Sequence, residues 1–222
     1  MWILLIIAML ILPIWASINV KSTFNKYSDV HNSRGLTAEQ VARQILDSNG
    51  LTYVGIERIP GNLTDHYDPQ ANVVRLSESV YGKTSVSAIG VAAHECGHAC
   101  QHAEDYTPIK IRTAIVPAVN ICSKFWYLAF VLGLIFFEAF PELVWAGIIM
   151  FSAVVLFQLV TLPVEFDASG RALKTLENDM ILDSGETAQA RKVLKAAALT
   201  YVVALVTSII QLLRLLAAAK RR

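Results

Sequence analysis

Residues 125–163, FWYLAFVLGLIFFEAFPELVWAGIIMFSAVVLFQLVTLP, form an apolar run that is long enough to cross a membrane twice. A membrane-spanning helix needs about 20 mostly apolar residues. The run is interrupted near its middle by Glu138 and by Pro141-Glu142, and a charged break that contains proline is typical of a tight turn. We therefore predict a transmembrane hairpin with spans at about 125–140 and 143–163, rather than a buried hairpin of a soluble core.

Two further apolar segments, residues 1–20 and 196–219, flank this hairpin in the sequence. No Lys or Arg precedes Lys21, whereas a signal peptide begins with a basic region. The first segment is therefore predicted to be an uncleaved anchor. Gln211 and Arg214 lie three residues apart and share one face of the last segment, which either crosses the membrane or lies against it as a packed or interfacial helix.

The remaining residues have the charge content of an ordinary soluble domain. With 55% hydrophobic residues, a net charge of +1 and three cysteines, the chain is not a purely soluble globule, a disordered chain, a disulfide scaffold or a strongly basic nucleic-acid binder. We expect no nucleic-acid partner, and the membrane is the first expected partner.

The alternation of apolar and polar segments predicts five units. These are a transmembrane anchor (1–20), a first part of a soluble domain (21–124), the hairpin (125–163), a second part of that domain (164–195) and a membrane-spanning or membrane-associated helix (196–222). The two polar parts carry ten and five Lys or Arg residues, while the tip of the hairpin carries none. The positive-inside rule therefore predicts a multi-pass protein with both polar parts in the cytoplasm. The basic tail at Lys220 disagrees with this rule if the last segment crosses fully.

Within the polar part, Thr37 and Gln40 are spaced as a capping box and predict a helix that ends at Asn49-Gly50. Strands are predicted at 52–59 and 71–77, a loop at 65–69, and an apolar helix at 85–101. The fold class predicted is mainly α with a small β element, in a multi-span membrane protein.

The predicted helix at 85–101 contains His94-Glu95-Cys96-Gly97-His98, an H-E-x-x-H motif. Residues i and i+4 share one helical face, so the two imidazoles can bind one zinc ion. Glu95 beside them is placed to act as general base on a water that zinc activates. Gly97 costs about 1 kcal/mol relative to alanine inside a helix, which makes sense if another backbone or a substrate passes close to it.

A catalytic zinc site needs a third protein ligand. His31, His66, His102, Glu165 and several aspartates are candidates. His94 and His102 are about 12 Å apart along a straight helix, so His102 is more consistent with a surface or supporting position. Glu165 is favoured because it follows the apolar run directly, with Pro163 suited to the first turn of a polar helix and Ser169 on the same face.

These residues resemble the YugP-like family of bacterial membrane neutral zinc metallopeptidases, a gluzincin type that is also similar to the HtpX and CAAX-processing membrane proteases. The stretches that carry the resemblance are Gly61–Pro69 (GNLTDHYDP), Asn72–Ser77 (NVVRLS), Ala92–Ala99 (AAHECGHA) and Leu162–Ser169 (LPVEFDAS). The resemblance implies a zincin-like metallopeptidase domain in the bacterial plasma membrane. It also implies one Zn²⁺ per chain on His94, His98 and Glu165, with Glu95 catalytic.

The resemblance also bears on the residues that would support the ligands and bind the substrate. Related proteases usually have Asp four residues after the third ligand, where this chain has Ser169. Because zinc peptidases of this kind bind extended peptides on an edge strand, a substrate strand is expected at Asn72, Val73 and Val74, with an ordinary sheet strand as the alternative. A donor for the developing oxyanion is also required, and the candidates are Arg171, His66 and Tyr81.

The sequence thus predicts an integral membrane zinc-dependent endopeptidase acting on protein or peptide substrates, chiefly membrane proteins. A non-catalytic membrane zinc-binding scaffold or sensor would use the same ligands, but it would not need Glu95. A multi-span transporter with histidines on an ion path is a third class. The motif lies in a segment of soluble composition, which argues against a transporter.

Overall fold

The computed structural model describes residues 2–220. The predicted units 1–20 and 196–222 include Met1, Arg221 and Arg222, and these three residues lie outside the described part of the chain. The described chain contains helices and strands in the following order: α1 Trp2–Ser28, α2 Ala38–Ser48, β1 Gly55–Ile59, β2 His66–Asp68, β3 Val73–Ser77, α3 Val86–Ala103, α4 Thr107–Ile135, α5 Glu142–Asn178 and α6 Ser184–Ala219.

Four of these helices are long and apolar enough to cross a membrane: Leu5–Ser28, Thr107–Ile135, Glu142–Asn178 and Ser184–Ala219. Their exposed side chains include many large apolar residues, as lipid-facing helices require. The predicted class, mainly helical with a small sheet and several spans, is therefore confirmed.

The predicted turn of the hairpin is found between the end of α4 at Ile135 and the start of α5 at Glu142. The two helices approach each other closely at glycines. A Cβ atom on Gly133 would overlap the backbone nitrogen of Val144, and one on Gly147 would lie 2.7 Å from the backbone nitrogen of Phe130. Small residues of this kind let membrane helices pack backbone to backbone.

The three strands form one small sheet in the order β1-β3-β2. β3 pairs in parallel with β1, from Gly55↔Val73 to Ile59↔Ser77. It pairs antiparallel with β2, from His66↔Arg75 to Asp68↔Val73. The loop predicted at 65–69 is thus corrected at its centre, where residues 66–68 form a short strand. Pro69 favours extended geometry at the residue before it, Asp68, and pairing with β3 extends the strand back to His66.

The sheet order corrects the predicted substrate strand. Val73 and Val74 are paired on both sides, by β1 and by β2. Asn72 precedes the strand, and its carbonyl accepts a hydrogen bond from Gly55 at 2.9 Å. None of these residues offers a free edge to a peptide, because β3 is the central strand of the sheet.

Helix α3 lies at the centre of the polar part, with 14 of its 18 residues buried. It begins after Ser85, whose hydroxyl accepts a hydrogen bond from Ala88 N–H at 3.3 Å. Helices α2, α5 and α6 contribute to the same apolar core, together with the sheet. This core holds α3 in a fixed position against the polar halves of α5 and α6.

Helix α5 runs without a break from the apolar hairpin into the polar part, and α6 does so in the opposite direction. Pro163 lies inside α5, which corrects its predicted place in the first turn of a new helix. Proline is tolerated inside membrane helices because neighbouring groups satisfy the freed carbonyl. The predicted five-unit division stays a prediction, and its limits at 124, 163 and 195 fall within helices.

Candidate metal centre

The structure brings His94, His98 and Glu165 together, although 67 positions separate the last two in the sequence. The Oε2 atom of Glu165 lies 3.3 Å from Nε2 of His94 and 3.6 Å from Nε2 of His98. The three potential ligand atoms all lie within 4.8 Å of one another. This is the only such group of His, Cys, Asp and Glu side chains among residues 2–220, and it consists of the residues predicted as ligands.

Gly97 explains how α5 comes close enough to α3 to place Glu165 there. A Cβ atom at this position would lie 2.6 Å from the carbonyl oxygen of Ala168, which is on α5. Real side chains essentially never approach this closely. The expectation that another backbone passes beside Gly97 is therefore confirmed.

His94 is oriented by Ser169, one turn beyond Glu165 on α5. The hydroxyl Oγ of Ser169 lies 3.1 Å from Nδ1 of His94. If Nδ1 carries the proton, Nε2 keeps its lone pair on the side that faces Glu165. Ser169 is thus placed to support His94, with a neutral hydroxyl at the position where the resemblance implies an aspartate.

His98 is oriented by a longer chain of buried polar groups. Its Nδ1–H donates to Oε1 of Gln101 at 3.0 Å. The amide nitrogen of Gln101, which is fully buried, donates to the Val164 carbonyl and to Asp167, both at 2.8 Å. Asp167 in turn accepts from Arg171 at 2.6 Å. His98 therefore also presents Nε2 to Glu165.

Glu95 is buried beside the histidines, with 8% of its surface exposed. Its Oε2 atom accepts a hydrogen bond from the backbone N–H of Tyr67 at 3.1 Å. Tyr67 belongs to β2, the edge strand of the sheet that lies nearest to the group. The backbone N–H of Tyr67 thus holds the Glu95 carboxylate in place. The carboxylate that faces His94 and His98 is that of Glu165.

The electrostatics of this group favour a cation. Burial lowers the pKa of His98, but the hydrogen bond to Glu165 and the charge of Glu95 outweigh burial, so its pKa is raised. Oε2 of Glu165 is buried and makes no hydrogen bond to another described residue. A buried carboxylate oxygen without a donor, facing two imidazole nitrogens, fits the chemistry of a His₂Glu zinc site.

The group opens into a cavity of about 190 Å³ enclosed by α1, α3, α5 and α6. Besides His94, Glu95 and Glu165, the wall includes Asp65, Ser169 and Tyr201. Burial raises the pKa of Asp65, although Ser77 donates two hydrogen bonds to its carboxylate. The cavity is large enough for a few atoms around the site, and not for a whole peptide.

The structure does not bring the three predicted oxyanion donors to this cavity. His66 is exposed on β2, and its Nδ1 lies 2.9 Å from the Thr64 carbonyl. Tyr81 packs against the apolar core. Arg171 points away from the cavity and pairs with Glu104 at 2.7 Å; it reaches His98 only through Asp167 and Gln101.

Four residues near the group were not found by sequence reasoning: Tyr67, Gln101, Arg112 and Tyr201. Nη1 of Arg112 lies 3.6 Å from Oε1 of Glu165. Tyr201 lies close enough to interact with the charges of both Glu165 and Glu95. Gln101 had a signal in the sequence, since it follows His98 by three residues on one helical face, whereas Tyr201 is one aromatic residue in an apolar helix.

Comparison with known proteins gives an independent result. A family described as "Putative neutral zinc metallopeptidase" matches residues 2–220. The chain is 50% identical over 214 residues to a protein of Bacillus subtilis (strain 168) named "Putative membrane protease YugP", a match that covers 96% of this chain and 94% of that protein. No solved structure matches the chain.

Proposed function

The chain belongs to this family of neutral zinc metallopeptidases, and from that premise we propose that it is a zinc-dependent endopeptidase of the bacterial plasma membrane. The observation that carries the proposal is the convergence of His94, His98 and Glu165 on one point, with Glu95 buried beside them. A site that only bound zinc would need the first three residues and would have no use for the fourth.

The ligands in this proposal are Nε2 of both histidines and a carboxylate oxygen of Glu165. Zinc bound there would lower the pKa of a coordinated water and polarise the scissile carbonyl. Glu95 takes the proton from the attacking water and later passes it to the leaving amine. The Tyr67 N–H holds the Glu95 carboxylate in the orientation that this transfer requires.

A hydroxyl in the cavity wall is suited to stabilise the negative charge that develops on the carbonyl oxygen. Tyr201 is in that position, beside Glu95 and Glu165, and it replaces the three donors expected from the sequence. Tyr201→Phe removes only the hydroxyl and should lower kcat by about 100-fold, as loss of one oxyanion donor does, while zinc content stays unchanged. An unchanged kcat would exclude Tyr201 from this role.

The proposal is tested by comparing the wild-type chain with Glu95→Gln and Glu165→Gln, all purified in detergent. We expect about one zinc per chain in wild type and in Glu95→Gln, with cleavage of an unfolded protein such as casein only in wild type. Glu165→Gln should lose most of its zinc, because a neutral amide is a poor zinc ligand.

Two outcomes would contradict the proposal in different ways. Zinc in both wild type and Glu95→Gln, with no cleavage by either across several unfolded substrates, favours the non-catalytic scaffold or sensor. Full zinc occupancy in Glu165→Gln would show that the third ligand is another residue. The two measurements separate metal binding from catalysis.

We further propose that the polar part of the chain faces the cytoplasm. The support is the excess of Lys and Arg in both polar segments and their absence from the hairpin tip. With α6 as a fourth span, both termini lie outside, and the basic tail at Lys220 is an exception to the rule. Labelling of single cysteines at the hairpin tip and in α2 with a membrane-impermeant maleimide tests this orientation, and labelling in α2 from outside would contradict it.

A further inference from the structure

A groove between α1 and α6 leads from the apolar layer to the candidate metal centre. Its volume is about 880 Å³, which is near the upper end of ligand pockets in proteins. It shares Val20, Phe24, Leu63 and Tyr201 with the smaller cavity at the metal centre. The two spaces therefore meet at a common wall, with Tyr201 at the junction.

The far end of the groove lies at membrane depth. On α1 it reaches Pro13, which lies seven residues before Val20 and about 10 Å farther along the helix. On α6 it reaches Ala204, within the apolar segment of that helix. At its other end the lining includes Lys21, Asn25 and Asn62, which belong to the polar part or its border. The groove thus runs from the apolar layer to the aqueous side.

The lining combines apolar walls with hydrogen-bonding groups along its length. Ala16, Val20 and Val203 contribute apolar surface. Ser17 adds a hydroxyl, and Thr200 adds another, which donates to the Ala197 carbonyl at 2.6 Å and can still accept a hydrogen bond. A lipid acyl chain has no use for such groups. The backbone of an extended peptide needs them, because amides without partners are costly in an apolar environment.

We propose that this groove binds the unwound, apolar end of a transmembrane segment of a substrate protein and guides it to the metal centre. The proposal rests on the proposed function and names its substrate class. The cavity at the metal centre has room only for the bond that is cleaved and its immediate neighbours. The adjoining groove supplies the space for the residues on one side of that bond.

Photo-crosslinking tests the proposal without requiring catalysis. The full chain carrying Glu95→Gln is placed in vesicles of phosphatidylethanolamine and phosphatidylglycerol, with an aliphatic diazirine amino acid about the size of leucine at position 17 or at position 18. Ser17 lines the groove, whereas Ile18 is 61% exposed on another face of α1. The probe is a synthetic peptide with one span of about 20 apolar residues and a polar flank.

We expect position 17 to label the peptide and position 18 to label lipid. Labelling of lipid alone from position 17, or equal labelling of the peptide from both positions, would overturn the proposal. If the wild-type chain cleaves no substrate while position 17 labels the peptide, the proposed function fails and the groove stands. If the wild-type chain cleaves its substrate but position 17 labels only lipid, the proposed function stands and the proposal for the groove fails.

Filling the groove gives a second measurement. Ser17→Trp should lower the ratio of cleavage of the single-span peptide to cleavage of a short soluble peptide by about tenfold, the discrimination that one apolar subsite typically provides. Ile18→Trp adds the same bulk outside the groove and should leave the ratio at its wild-type value. An unchanged ratio in Ser17→Trp would contradict the proposal.

Discussion

Helix α5 makes two close contacts of the same kind, one with α4 in its apolar half and one with α3 in its polar half. In the apolar half, Gly133 and Gly147 allow the backbones of the hairpin to touch. In the polar half, Gly97 does the same against Ala168. Each contact leaves no room for a single methyl group.

The two contacts differ in what depends on them. Near Gly147 the neighbours are apolar side chains such as Phe130 and Phe151, so the contact contributes packing energy between membrane helices. Near Gly97 the same closeness sets the distance between Glu165 and the histidines of α3. One kind of helix contact therefore supports stability in one place and the geometry of the site in the other.

The largest effect that separates the two contacts is expected from Gly97→Ala. The added Cβ would lie 2.6 Å from the Ala168 carbonyl, and ordinary contact begins at 3.4 Å, so α3 and α5 would have to separate by about 0.8 Å. Zinc sites tolerate ligand shifts of only about 0.2 Å. We expect most of the bound zinc to be lost and kcat/KM to fall by at least about 100-fold, as measured by elemental analysis and peptide cleavage.

Gly147→Ala is the matched control, since its Cβ would lie 2.7 Å from the Phe130 backbone nitrogen. Overpacking at this point should lower the free energy of unfolding by about 1–3 kcal/mol, while zinc content stays at the wild-type value. Thermal unfolding in detergent and elemental analysis measure the two effects. If both variants lost zinc to the same extent, the contact at Gly97 would have no special role in the site.

The sequence was sufficient to predict the features that depend on local geometry or on composition. The hairpin follows from the length of the apolar run, and the approach of His94 to His98 follows from helical pitch alone. Glu165 is favoured because it directly follows the apolar run, and a hairpin that crosses the membrane twice returns the chain to the side of the histidines. The observed closeness to both Nε2 atoms agrees with that reasoning.

The features that sequence reasoning missed depend on how distant elements pack. β2 has only three residues and exists through its pairing with β3, so no alternation of apolar and polar residues marks it. Pro163 suggested the start of a helix, but α5 continues through it because the membrane half already provides a helix to extend. Tyr201 lines the cavity at the candidate metal centre because of the way α6 packs against its neighbours, and the apolar composition of α6 does not specify which of its faces turns to the site.

His94 and His98 are oriented by different hydrogen-bond partners, and both sets of contacts reach the polar half of α5. His98 is held by Gln101, which α5 anchors through Val164 and Asp167. Gln101→Leu keeps the approximate volume but removes the acceptor of His98 Nδ1–H. Zinc affinity should fall by about 10- to 100-fold, the usual cost of losing such a partner, as measured by chelator competition on the intact chain.

Gln101→Glu is the control for that change, because a carboxylate can still accept from Nδ1–H of His98. It should keep zinc affinity closer to wild type than Gln101→Leu does. The amide donation to Val164 and Asp167 is lost in both variants, and the new carboxylate of Gln101→Glu is also repelled by these two acceptors. Any zinc affinity that Gln101→Glu keeps above Gln101→Leu is therefore due to the hydrogen bond to His98. If Gln101→Glu bound zinc no more tightly than Gln101→Leu, this hydrogen bond would not be the main contribution of Gln101.

The smallest effect is expected at Ser169, where a single neutral hydroxyl supports His94 at 3.1 Å. A neutral hydrogen bond contributes about 1 kcal/mol, so Ser169→Ala should weaken zinc binding by about fivefold, less than Gln101→Leu does. Ser169→Thr keeps the hydroxyl and should stay near wild type, whereas Ser169→Asp places a charged acceptor next to Nδ1 and should bind zinc more tightly than Ser169→Ala. A larger loss in Ser169→Ala than in Gln101→Leu would reverse the order of the two supports, and it would show that His94, not His98, is the histidine whose orientation limits metal binding.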